Sequence, residues 1–381
     1  MKITQVEILP IDKYLYVRLH TDEGLTGLGQ SGAAGYLEAS EGALRMFGRY
    51  LVGQDPLRIE HHWQYMYRSS HHRGAAIMGA ISAVDIAMWD IAGKYFGVPV
   101  HQLLGGMVRD KARVYYHVKG DTREKLVQGV KAAKAEGYTA VGHLTPFLDA
   151  PSDEPFFETH AGKMADAIEA VGAYRDAVGN DVDLCIEIHR RLSPAESVVL
   201  ARGIEQFHPF FYEDPILPDN FDAMGLVASK ISLPIATGER LHTIHEFEML
   251  LKRGAVQYVR PDVCMAGGFT HCKKIAALAE AHYVGVVPHN PDGLSPVSTA
   301  ACLQLVASIP NFGLLELPAT ENEPPKSEIV IDRPRVENGY LLVPTAPGIG
   351  VELADDAQEK HPPILRKINT RLHVDGSVVD Q

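Results

Sequence analysis

The chain is poor in the features that put a protein in a membrane, cross-link it or fit it to nucleic acid. No window approaches twenty uninterrupted apolar residues, and the opening Met1 to Leu9 alternates like a strand without a long apolar leader run. A cytoplasmic protein with no membrane partner is expected. Only four cysteines occur, Cys185, Cys264, Cys272 and Cys302, scattered without the paired spacing of a zinc site, so free thiols in a reducing compartment are expected. No basic run is present, and a formal net charge of -12 argues against nucleic acid as a partner. The composition that remains is ordinary for a globular protein, with 46% hydrophobic and 22% charged residues, enough to bury a large core. A length of 381 residues suits a barrel domain of about 250 residues with a smaller companion.

The expected fold class is α/β, a (β/α)8 TIM-type barrel with an α+β N-terminal capping domain. Residues 1–112 read as the capping domain, completed by about 340–381, and residues 113–339 as the catalytic barrel. In the first unit, alternating runs over Ile3–Leu9 and Leu15–His20 flank a Thr21–Gly24 turn and predict short strands. Gly29–Tyr36, glycine-rich and small, reads as a flap or an ordinary surface loop. A long helix rich in small apolar residues follows over residues 74–96, stopped by Gly97 and Pro99, and its Asp85 and Asp90 read as structural carboxylates. Neighbouring histidines point apart, so His61-His62 and His71-His72 are expected to be solvated or at a lid edge rather than paired on a metal.

From Arg113 short β-rich runs alternate with helical patterns. Strands are predicted at Arg113–His117, Ala140–Leu144, Val182–His189, Phe210–Glu213, Pro234–Glu239, Tyr258–Asp262, Val284–His289 and Gly313–Leu317. Eight such alternations point to a closed barrel. The last twenty residues are weakly patterned and read as a loosely held tail.

Three acids, Glu187, Glu213 and Glu239, each lie at or near a predicted strand end and are spaced 26 residues apart. Successive barrel strands bring such ends together at the C-terminal rim, where the carboxylates would repel one another unless a cation sat among them. An all-oxygen set suits Mg2+ better than Zn2+. For any single acid, pairing with a neighbour such as Arg240 or Arg260 is the simpler reading, and three consecutive strand ends outweigh it. On the next strands Asp262 and His289 form an Asp–His pair able to serve as a base. Period-two alternation puts His189 on the same face as Glu187. Glu316, at the end of the last strand, would donate to an oxyanion if protonated, or cap a helix.

These residues, with the helix Ala83–Lys94 and Leu103-Leu-Gly-Gly106, resemble the enolase superfamily in its mandelate racemase-like branch nearly end to end. The resemblance implies that Glu187, Glu213 and Glu239 are Mg2+ ligands and that His289 with Asp262 is the general-base dyad. Glu187-Ile-His-Arg-Arg-Leu-Ser-Pro194 is similar to acid sugar dehydratases of the galactonate, gluconate and mannonate type, which implies that His189 is the acid. Two departures stand out. The first ligand is Glu187 where those dehydratases usually carry Asp, and Ala140–Thr145 lacks the Lys-x-Lys of racemases, leaving His143 there.

The implied reaction is Mg2+-dependent dehydration of an aldonate through an enediolate to a 2-keto-3-deoxy acid. The leading alternative is a cycloisomerase on an anhydro sugar acid such as 3,6-anhydro-galactonate, followed by an epimerase or racemase and a catalytically silent member. A zinc hydrolase is disfavoured because the first strand carries no His-x-His. Tyr36 and His71 on capping-domain loops, with His143, Arg190 and Asp292, are the expected readers of substrate hydroxyls, and a homo-oligomer is expected.

Overall fold

The computed structural model describes residues 1–148, 155, 157–189, 191–367 and 370–379. It opens with an antiparallel sheet in the order β1 (Ile3–Ile11), β2 (Tyr14–Thr21), β3 (Thr26–Ser31). Four helices follow: α1 (Leu37–Leu51), α2 (Ile59–Arg68), α3 (Ala75–Phe96) and the short α4 (Val100–Leu103). The β-α alternation then runs β4 (Lys111–His117), α5 (Arg123–Ala135), β5 (Ala140–Leu144), α6 (His160–Val178), β6 (Asp183–Glu187), α7 (Pro194–Ile204). It continues through β7 (Phe211–Glu213), α8 (Phe221–Ala228), β8 (Ile235–Thr237), α9 (Ile244–Leu251), β9 (Tyr258–Val259), α10 (Gly268–Ala281), β10 (Gly285–Val286), α11 (Pro296–Ala307) and β11 (Leu315–Leu317).

β4 to β10 pair in sequence order, all parallel, and β11 pairs with β4. A parallel bridge between Val286 and Phe312 joins β10 to the approach of β11, which closes the eight strands into a barrel. All eight predicted strands are present. Four of them, β6, β8, β9 and β10, stop two or three residues before the predicted end, because the residues beyond the ladder turn into the rim loops that carry polar groups. The helix starts are local in origin. Ser193 and Glu196 form a capping box with Pro194 in the first turn of α7, and Thr243 and Glu246 do the same for α9.

The long helix α3 has the length and apolarity of a membrane span, yet most of it is buried against β3 and α10. Its close approach to β3 corrects the reading of Gly29–Tyr36 as a loop. Gly29 belongs to β3, and a Cβ on it would stand 2.0 Å from the Ala83 carbonyl oxygen, so backbone packs on backbone there. Asp85 and Asp90 have the structural role expected. Asp85 accepts from the Thr270 amide at 3.1 Å, and Asp90 from those of Leu28 and Ile349 at 2.9 and 2.8 Å. His62 departs from expectation: it is fully buried, bonded to Tyr50 Oη and the Asp55 carbonyl, while its neighbour His61 faces solvent. The α2 face on which it falls is apolar and turns that ring inward.

After β11 come α12 (Lys326–Ile329), β12 (Val330–Ile331), β13 (Val336–Glu337), β14 (Tyr340–Leu342), β15 (Glu352–Leu353) and α13 (Ala357–Lys360). β14 pairs antiparallel with the start of β4. Residues further on turn back to the first unit: Gly348 exchanges backbone bonds with Val98 and Val100, and Asp12 with His361 and Ile364. The unit of residues 1–103 is fastened to the barrel by Trp63, whose Nε1 donates to the Gly267 carbonyl at 2.9 Å, and by Ser82, which accepts from the Gly267 amide at 2.9 Å.

Candidate active site

Three adjacent barrel strands deliver the acids. Glu187 ends β6 and is in register with Glu213 at the end of β7, while Glu239 stands two residues beyond β8 after Gly238, whose φ of 130° turns the chain. One carboxylate oxygen from each lies within 4.8 Å of the others. Glu187 and Glu213 are buried. Burial pushes the Glu213 carboxyl well above the usual range; Arg260 opposes this, and Glu187, Glu316 and Glu239 add to it. Converging carboxylates that strain one another in this way are a fit for a hard divalent cation, with Glu187, Glu213 and Glu239 as its holders. His143 and His189 form a second, mixed nitrogen and oxygen grouping around the same Glu187.

On the Glu239 flank stands His289. Its Nδ1 is 2.9 Å from Asp262 Oδ2, and its Nε2 is 3.4 Å from Glu239 Oε2. Asp262 is buried, and its other oxygen accepts from the Cys264 amide at 2.8 Å. That second bond fixes the carboxylate, so His289 keeps its Nδ1 proton on Asp262 and turns Nε2 to the cavity. For the acids alone, burial lowers the His289 pKa but Glu239, Asp262 and Glu316 outweigh it and raise it to about 9; a divalent cation on Glu239 would cancel the first of these pulls and leave Nε2 able to accept a proton.

On the Glu187 flank stands His189. Alternation along the strand does not place it there, since β6 stops at Glu187 and His189 has a φ of 52°, in the left-handed region. Its amide instead donates to Glu187 Oε1 at 2.8 Å, and its Nε2 lies 3.9 Å from the same oxygen. His143 has a φ of 53°, at a register shift between β5 and β6 that aims its ring at His189, 5.0 Å between centroids. Burial, then His117 and His189, lower its pKa to about 4.

Under the acids lies Arg260, fully buried, in ion pairs of 2.6 Å with both Glu213 and Glu316 and donating to Tyr115 Oη. The simpler pairing considered for the acids therefore applies to Glu213, which meets Arg260 on one side and the carboxylates of Glu187 and Glu239 on the other. Glu316 is placed as an acceptor. It accepts from Arg260, from the Asn290 amide at 2.7 Å and pairs with His117 Nε2 at 2.7 Å. Burial favours its neutral form, but Arg260 and His117 hold it well below the usual carboxylate range, opposite to the direction an oxyanion donor needs.

These groups line a cavity of about 880 Å³ between the rim and the Gly32–Tyr36 loop. Its wall includes Tyr36, His143, Glu187, His189, Glu239, Asp262, His289 and Glu316. Asp292 is drawn away from it: Lys119 and Lys326 pair with it and Thr320 donates to it, so it anchors the loop after His289. His71 is exposed and off this wall, and Arg190 lies outside the described residues. Neither His117, which pairs with Glu316 and stacks on His143, nor Arg366, on the cavity wall, stands out in the sequence. His117 ends the first predicted strand, a signal that was available; Arg366 sits in the weakly patterned tail and gave none.

Comparison with known proteins gives the same picture. Residues 121–357 match the family described as enolase C-terminal domain-like, and residues 5–105 the mandelate racemase / muconate lactonizing enzyme N-terminal domain. Curated relatives named D-galactonate dehydratase, from Verminephrobacter eiseniae and Ralstonia pickettii, are 36% and 37% identical over the whole of both chains. Among solved structures, a mandelate racemase/muconate lactonizing enzyme from Jannaschia sp. CCS1 is 34% identical with a TM-score of 0.87, covering 98% of this chain and 100% of its own. An enolase from Agrobacterium radiobacter, provisionally named a galactarate dehydratase and solved with Na and L-malate, is 30% identical with a TM-score of 0.91 over all of both chains. The chain belongs to the enolase superfamily, in its mandelate racemase / muconate lactonizing enzyme group.

Proposed function

We propose that the protein dehydrates an acid sugar, removing the proton α to the carboxylate and expelling the C3 hydroxyl, to give a 2-keto-3-deoxy acid. The observation that carries this reading is a pair of histidines on opposite flanks of one carboxylate triad, His289 beyond Glu239 and His189 beside Glu187. Glu187, Glu213 and Glu239 would hold Mg2+, which would supply Lewis-acid stabilisation of the charge that builds on the substrate carboxylate. His289 Nε2 takes the C2 proton, its imidazolium steadied by Asp262. His189 gives a proton to O3 as the C3–O bond breaks, water leaves, and the enol gains a proton at C3 to become the keto acid. His143, held neutral by burial, offers the sugar a hydrogen-bonding ring rather than a charge. Residues 113–339 do this chemistry, and residues 1–112 with 340–381 cap it.

Loss of water rather than of a ring ether is favoured by the names of the curated relatives, which are dehydratases. Their named substrate, D-galactonate, is the first to test, with Mg2+ present and the C2 hydrogen followed by NMR in deuterated water. The wild-type protein is expected to form the 2-keto acid. His289→Asn is expected to lose both C2 exchange and product by about 10²–10⁴-fold, whereas His189→Asn keeps C2 exchange and loses product. Equal loss of exchange in both variants, or product formation by His289→Asn at the wild-type rate, overturns these roles.

A further inference from the structure

The segment of chain whose pattern said least reaches the cavity. Residues 361–367 run beside the β1–β2 turn, where the Asp12 amide donates to the His361 carbonyl at 2.9 Å and the Ile364 amide to the Asp12 carbonyl at 2.8 Å. Pro362 and Pro363, between these bonds, restrict the backbone. The segment thereby sets Arg366 on the cavity wall, with its guanidinium against Gly35. A Cβ built on Gly35 would meet Arg366 Nη1 at 3.3 Å and Cζ at 3.7 Å, and the Gly35 φ of 89° also calls for glycine. The loop that carries Gly35 begins at the dyad, for a Cβ on Gly32 would lie 3.1 Å from Asp262 Oδ1. It ends at Tyr36, which is 66% exposed. Arg366 is therefore three residues outward from the dyad along the loop, a span of at most ~10 Å, comparable to an extended hexose acid.

Charge around the cavity is uneven. Its inner end carries Glu187, Glu239, Asp262 and Glu316, while the only lysine or arginine side chains among its described lining residues are Arg240 and Arg366. Arg366 is exposed and makes no ion pair or side-chain hydrogen bond to any described residue. A guanidinium fork is matched to a carboxylate, which it grips through two parallel bonds.

We propose that Arg366 is a specificity-determining residue that binds a carboxylate at the end of the substrate remote from the triad, so that the preferred sugar acid is an aldarate, oxidised at both ends. The proposal rests on the dehydration reading only for placing the first carboxylate at the triad. Binding is measured by calorimetry with Mg2+ on His289→Asn protein, which cannot consume its ligand, using galactarate and D-galactonate. Galactarate is expected to bind at least tenfold more tightly, and the added change Arg366→Ala to bring that ratio close to one, with Arg366→Lys in between. Circular dichroism and the thermal midpoint identify any variant that has lost its fold. Equal affinities before the change, or a ratio that Arg366→Ala leaves intact, overturn the proposal. Turnover of both sugars is measured separately in the unaltered protein. If neither is converted and the binding ratio still collapses, the dehydration reading fails and the Arg366 assignment stands; conversion of galactonate with a ratio of one has the opposite meaning.

Discussion

Arg260 does more for the site than its absence from the cavity wall suggests. It lies between Glu213 and Glu316, and it is the charge that keeps Glu316 ionised in a place where burial alone would protonate it. Arg260→Met would leave two buried carboxylates without their cation, an error that typically costs about 3–5 kcal/mol. A correspondingly lower urea midpoint is expected, and addition of Mg2+ is expected to restore part of it by engaging Glu213. At this scale the sequence is unevenly legible. The three glutamates were legible because 26-residue spacing and strand ends are one-dimensional facts. Arg260 was visible only as a possible partner, since spacing does not say which side chain runs beneath its neighbours. Asp292 was misplaced for the same reason: its partner Lys119 is far away in the chain and meets it only across the closed barrel.

At the scale of elements, the joint between α3 and α10 shows how a capping unit is held to a barrel. Gly268, with a φ of 66°, lets the start of α10 approach so closely that a Cβ there would stand 2.2 Å from Asp85 Oδ2. Asp85 is fully buried, and burial raises its pKa to about 7 against the pull of its bonds to Thr270. Because the folded value lies above the unfolded one, the stabilisation linked to this group is complete below pH ~4 and is lost as pH rises through about 7. Asp85→Asn keeps an acceptor for Thr270 and removes the ionisation. The variant is expected to gain on the order of 1 kcal/mol, or roughly 2 °C in Tm, over wild type at pH 8 and to show no such gain at pH 5. A scanning-calorimetry comparison at the two pH values checks it. The helix itself was legible from its run of small residues and its Gly97 stop. The strand beside it was not, because glycines that admit a helix backbone look the same in sequence as glycines in a loop.

At the scale of the whole molecule, the barrel was legible because each predicted strand kept its order and its partner, so closure followed from number and alternation. As the proposed ligand set, the triad would couple that barrel to a cation. A ligand that binds only the folded chain stabilises it by about 2.7 kcal/mol at a hundred times its dissociation constant. Stripping Mg2+ with a chelator is thus expected to lower Tm by a few degrees, and Glu239→Gln to abolish most of that difference, as read by thermal scanning with and without Mg2+. The cavity also joins distant parts of the chain, with Tyr36 from the β3–α1 loop and Arg366 from the segment after α13 meeting over the rim of the barrel. A ribosome makes the first of these long before the second, at a rate of several residues per second. Until residues 361–367 have been made and have docked, the pocket therefore lacks part of its wall, and a nascent polypeptide, however well its barrel has formed, holds no finished site in which a sugar acid could react.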